Sequence, residues 1–100
     1  MLRFARLNFA TAQQHHTAGC CGNPIFPNEP LAEVTLQDGH DGESFEFAVC
    51  HQCRDRTDEQ IMTAIIEHQF QITCTTQHPN SFQQYLRDQA HQAALQPEHA

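Results

Sequence analysis

The stretch Ser44-Phe45-Glu46-Phe47-Ala48-Val49-Cys50-His51-Gln52-Cys53 decides how this chain folds. Phe45, Phe47 and Val49 alternate with Ser44, Glu46 and Ala48, the period of a strand with one buried face. That strand runs straight into a C-x-x-C, a spacing that lets two thiolates share one metal ion. Reading backwards, Asp38-Gly39-His40-Asp41-Gly42 is turn chemistry, and ahead of it Val34 and Leu36 alternate with Glu33, Thr35 and Gln37. Residues 32–37 and 44–50 are therefore expected to form a β-hairpin. Reading forwards, Thr57 and Gln60 have the spacing of a capping box, and Asp58 and Glu59 suit the positive start of a helix. Ile61, Met62, Ile65, Ile66 and Phe70 then mark one apolar face, expected to pack against the hairpin.

The flanks are plainer. Leu2 and Phe4, then Leu7 and Phe9, suggest an extended segment with a break near Arg6. Residues 13–30 read as loop, punctuated by Gly19, Gly22, Pro24, Pro27 and Pro30. Gln71 to Thr76 is rich in β-branched residues and is expected to form a short strand. After Pro79, Ser81 and Gln84 repeat the capping-box spacing. Phe82, Tyr85, Leu86, Ala90, Ala93 and Ala94 then mark a second amphipathic helix, ending near Leu95. Pro97 and the last residues are expected to fray. The expected fold class is α+β, a small zinc-stabilised domain with a β-hairpin followed by a helix and a C-terminal helix. One domain covers 1–96, its metal-binding core about 16–70 and its last helix about 81–95, with a tail at 97–100.

Composition explains why such a chain would need fastening. Leu, Ile, Val and Phe supply 20 of 100 residues, at the boundary below which chains tend not to fold. A chain of this length also buries only about two-thirds of its unfolded surface. No apolar run approaches the ~20 residues of a membrane span, and Met1-Leu2-Arg3-Phe4-Ala5-Arg6 lacks the apolar core of a signal peptide; the expected location is cytoplasmic. Five basic residues face twelve acidic ones, for a net charge of −7. The small groups Arg3/Arg6 and Arg54/Arg56 are a thin footprint for gripping phosphates, so direct nucleic-acid binding is disfavoured. Protonating all eight His would take the net charge from −7 to +1.

The five cysteines are Cys20, Cys21, Cys50, Cys53 and Cys74. An odd count without a secretory signal argues against a closed disulfide framework. Cys50 and Cys53 lie just ahead of a predicted helix, whose amides, with Arg54 and Arg56, would favour thiolate. Cys20 and Cys21 are flanked by Gly19 and Gly22, which permit a tight turn. A Cys-bearing glycine turn, a hairpin, a C-x-x-C and a helix, in that order, resemble the treble-clef family of zinc-binding domains over about residues 16–70. In that family a knuckle supplies two ligands and the beginning of the helix two more. The resemblance implies Cys50 and Cys53 as the helix-start pair and Cys21-Gly22 as the end of the knuckle. A regular C-x-x-C-G knuckle would carry Cys at position 18, where this chain has Ala18. Either Cys20 and Cys21 both bind, or His16, Cys74 or His78 replaces one of them. Four ligands would make the zinc structural rather than catalytic; iron–sulfur ligation would use the same thiolates.

The function expected from these features is a non-enzymatic, acidic zinc module that docks a protein partner. In its finer form it is an inhibitor or adaptor of a nucleic-acid-processing protein, with carboxylates such as Glu33, Glu43 and Glu46 standing where phosphates would lie. A thiol–disulfide redox protein using Cys50 and Cys53 is the first alternative, with His51 favouring thiolate. A zinc-finger nucleic-acid binder is the second. No hydrolytic metal motif, phosphate loop or nucleophile elbow occurs, so no catalytic residue is assigned.

Overall fold

The computed structural model describes residues 2–40 and 42–95, with side chains described through residue 90. The chain divides into two compact units, Met1–His68 and Gln69–Ala100. The fold is α+β: antiparallel strands come first and helices last.

In the first unit, β1 (Leu2–Thr11), β4 (Pro30–Asp38) and β5 (Ser44–Cys50) form an antiparallel sheet in the order β1-β4-β5. The hairpin read from the sequence is β4 and β5, in the register Val34 opposite Phe47 and Leu36 opposite Phe45. At its turn, the Asp38 carboxylate accepts from the His40 amide at 2.7 Å, and the Gly42 amide donates to the Asp38 carbonyl. β1 pairs with β4 on the other side, and the register slips between Phe4 and Arg6. That slip is a β-bulge, and it is the break anticipated near Arg6. Ala32, Val34, Leu36, Phe45 and Val49 are buried on the sheet.

The segment 13–30 is not all loop. It holds two short strands, β2 (His16–Thr17) and β3 (Pro24–Ile25), paired antiparallel around residues 18–23. Two-residue strands leave no alternation to read, so punctuation dominated the sequence signal.

Helix α1 (Asp58–Thr73) begins as expected. The Thr57 amide donates to Gln60 Oε1 and the Gln60 amide to Thr57 Oγ1, each at 3.2 Å. Ile61 and Ile65 are fully buried and join the core of the first unit. The stripe then departs from the expected one: Phe70 is 43% exposed, while Gln69 is buried. Positions 61, 65 and 69 follow the i, i+4 spacing, and Phe70 falls beside that line.

The expected strand at Gln71–Thr76 is absent. Helix α1 continues to Thr73, and its hydroxyl donates to the Gln69 carbonyl at 2.8 Å, a bond that lets a β-branched residue end a helix rather than start a strand. In the second unit, α2 (Ser81–Leu95) has the expected bounds, but the Ser81/Gln84 pair is not its cap. The cap is Asn80: its Oδ1 accepts from the Gln83 amide at 2.9 Å, and its own amide donates to Gln83 Oε1 at 3.1 Å. Gln83 is buried, and its Nε2 donates to Gln69 Oε1 at 3.0 Å. Arg87 Nη2 donates to the carbonyl of Thr73, the last residue of α1, and to that of Thr76 just beyond it. Phe82 and Leu86 are buried, and Ala90 is exposed. The Ala93 and Ala94 side chains and the expected tail at 97–100 lie outside the described residues.

Candidate metal centre

Each pair of cysteines is placed by a tight turn at the end of a strand. The first turn joins β2 to β3. The Ala18 amide donates to the Asn23 carbonyl at 2.9 Å, and the Gly22 amide closes back on the Ala18 carbonyl at 2.8 Å. Gly22 has φ 77°, a left-handed conformation that L side chains adopt at a cost. The turn is docked on β5 because the Gly19 amide donates to the Ala48 carbonyl at 2.8 Å. A Cβ on Gly19 would lie 2.9 Å from Phe47 Cδ1, so the close approach itself requires glycine. The second turn follows β5. Amides of Cys53 and Arg54 both donate to the Cys50 carbonyl at 3.0 Å, folding Cys53 back over Cys50.

Together the turns gather four sulfurs. The ligand atoms of Cys20, Cys21, Cys50 and Cys53 all lie within 4.8 Å of one another. Cys20 and Cys21 Sγ are 3.8 Å apart, and Cys21 and Cys50 Sγ 3.7 Å. A disulfide would require about 2.05 Å. Four sulfurs each about 2.3 Å from a central zinc would be separated by about 3.8 Å along the edges of the tetrahedron. The spacing fits a shared ion and not a bond. Cys20, Cys50 and Cys53 are buried, and Cys21 is partly open.

The electrostatics point the same way. Burial pushes the Cys20 thiol far above its ordinary value, against the opposing pull of the Cys50 amide; the neighbouring Cys53 and Cys50 raise it further. Burial also raises Cys53; a hydrogen bond from Cys20 draws it down, but the bond and charge of Cys50 and the charge of Cys21 leave it raised. Burial acts the same way on Cys50, but the Cys53 amide, the Cys53 and Cys21 thiols and the Gln52 amide outweigh it and hold this thiol below its ordinary value. Four thiolates in one cage repel each other and cannot all ionise alone. A divalent cation would remove that conflict.

The adjacent cysteines therefore both join the cluster, and Ala18, at the position where a regular knuckle has Cys, is buried. Among the described residues, His16, Cys74 and His78 are not part of the group. Cys53 does not sit on a helix, because α1 starts at Asp58. The amides at the sulfurs are those of the turn itself. Nor does Arg54 serve the cluster as expected: its guanidinium lies over the Phe9 ring, 4.9 Å from its centroid, and Nη1 donates to the Leu31 carbonyl at 3.4 Å. No helix precedes Cys50 among the described residues, unlike the βαβ setting of a thioredoxin-like motif.

One contact was not legible in the sequence. A Cβ on Gly22 would lie 2.8 Å from His68 Cε1, so the α1 imidazole rests on the elbow of the first turn. His68 follows Glu67 on a helix with no distinguishing pattern, and only the missing side chain at Gly22 hinted at a close neighbour. Compared with family models, curated proteins and solved structures, the chain matches none of them. No helix of the described residues is long and apolar enough to cross a membrane.

Proposed function

We propose that Cys20, Cys21, Cys50 and Cys53 hold one structural zinc ion, and that the scaffold it fastens is a non-enzymatic module that docks a protein partner in the cytoplasm. The observation that carries this reading is the convergence of four sulfurs from two separate turns, all within 4.8 Å of one another. Four protein ligands complete the coordination of zinc and leave no position for substrate, which supports a structural role. The order of knuckle, hairpin and helix supports a treble-clef-like scaffold. In the finer form of the reading, the module is an inhibitor or adaptor of a nucleic-acid-processing protein, and its net charge of −7 suits a basic protein surface.

Metal content of the purified protein by native mass spectrometry, followed by chelator titration monitored by circular dichroism, tests the reading. One zinc per chain and loss of the strand signal on stripping are expected. Structural zinc contributes on the order of 10 kcal/mol in small finger domains, large beside so lean a core. A folded preparation that contains no metal would remove the basis of the reading. Visible absorbance typical of iron–sulfur clusters would replace zinc with iron.

A further inference from the structure

The docking surface follows from the way the sheet treats its two edges; this step rests on the reading of the chain as a protein-docking module. On β5 the knuckle covers the edge, through Gly19 and the Ala48 carbonyl. On β1 no described residue pairs with the outer side. Its ten residues offer about 33 Å of backbone donors and acceptors, a template for another strand unless guarded.

β1 carries two guards, the bulge between Phe4 and Arg6 and the exposed side chains of Arg3 and Arg6. Both act against a second copy. A pair of β1 strands would bring together four arginines with no carboxylate on either strand, and two bulges would meet in one ladder. The arginines do not oppose an acidic strand, and past the bulge residues 6–11 of β1 keep a regular register on which a ladder can form. None of the twelve acidic residues lies in β1, whereas two of the five arginines do.

A third cation lies on the opposite face of the sheet, beside Phe9. The Arg54 guanidinium spans from the turn after β5 to Phe9, which is 66% exposed. Its Nε is buried without a hydrogen-bond partner and its Nη1 bond is long, so the chain uses little of its donor capacity. Glu33 on the central strand β4 and Glu46 on β5, the other edge, share the face of Arg6, whereas β1 itself carries no carboxylate. We infer that β1 accepts an added strand from a partner protein, an extended acidic segment. Its backbone continues the ladder, its carboxylates meet Arg3 and Arg6, and an apolar side chain covers Phe9. The overall negative charge opposes approach, but screening limits that field to about 8 Å at physiological ionic strength, leaving contacts to decide.

The test is fluorescence anisotropy on the full, metal-analysed chain, with a labelled ten-residue peptide of alternating Glu and Val. Two controls are its twin with Lys for Glu and a version N-methylated on alternate amides. Binding of the Glu peptide is expected, with both controls at least about tenfold weaker. A chain carrying Arg3→Glu and Arg6→Glu should reverse the preference and take the Lys peptide. Equal binding of the N-methylated peptide would mean charge attraction without a ladder and would overturn the inference. So would preference of the unaltered chain for Lys, or a β1-mediated dimer that excludes the peptide. A metal-loaded chain that ignores the Glu peptide sinks the edge inference and leaves the metal reading standing. A folded, metal-free chain sinks the metal reading, while the peptide titration still decides the edge.

Discussion

Three glycines separate two costs that are usually entangled, backbone strain and close contact. Gly42 and Gly22 have the same φ, 77°. A Cβ on Gly42 would meet nothing within 4 Å, whereas one on Gly22 would meet the His68 ring at 2.8 Å. Gly42→Ala thus measures the left-handed backbone alone, about 1–2 kcal/mol. Gly22→Ala carries the same cost plus displacement of His68. The atoms struck are the far end of a side chain that is only half-buried, so turning it away costs a further ~0.5–1.5 kcal/mol. Gly19→Ala has no unusual φ, but its Cβ would lie 3.1 Å from Phe47 Cβ as well as 2.9 Å from Cδ1. Phe47 Cβ is fixed to the strand, so the knuckle must lift from the sheet, at about 1–3 kcal/mol. Urea unfolding of the metal-loaded variants measures all three. In a His68→Ala background, the Gly22→Ala cost should fall to that of Gly42→Ala. The reasoning fails if Gly22→Ala costs no more than Gly42→Ala, or if removing His68 changes nothing.

Zinc affinity should climb steeply with pH. Cys20 and Cys53 have raised values and keep their protons well above neutrality, so the ion must displace at least those two; affinity is expected to rise about 100-fold per pH unit between pH 6 and 8. Cys50, with its lowered value, surrenders its proton more readily and adds less to the slope. Chelator competition across that range checks this, and a flat profile would contradict it. Asn80→Ala should destabilise by about 0.5–2 kcal/mol through loss of the α2 cap, and Ser81→Ala by much less; thermal unfolding of the two compares them directly. Gln69→Ala strands the buried Gln83 amide, at about 1–3 kcal/mol, and Gln69→Ala/Gln83→Leu should recover part of that loss in a double-mutant cycle.

The sequence showed the parts whose local chemistry has one reading. The hairpin, the break near Arg6 and the Thr57/Gln60 cap are written in alternation and spacing, and each is present. Ambiguity entered where two neighbours could play the same role. Asn80 and Ser81 both precede a Gln at cap spacing; burial of Gln83 beside Gln69 selects Asn80, and that pairing is tertiary. Phe70 and Gln69 reversed their expected exposure for the same reason. At the sulfur cluster, Cys50 and Cys53 were legible from spacing. Adjacent Cys20 and Cys21 were ambiguous because successive side chains usually diverge. The turn closed by Ala18 and Gly22 brings them together, and no pattern of residue types encodes that turn uniquely.

Cys21 and Cys50 are 29 positions apart, with β3, β4 and β5 between them. Joined through an ion, they turn the polypeptide into a lasso whose noose holds the hairpin and whose free ends are β1 and the two helices. The noose cannot be drawn until Cys53 leaves the ribosome, when every strand has emerged and neither helix has. During synthesis, assembly of the sheet would therefore be settled before α1 arrives to lay His68 on the knot.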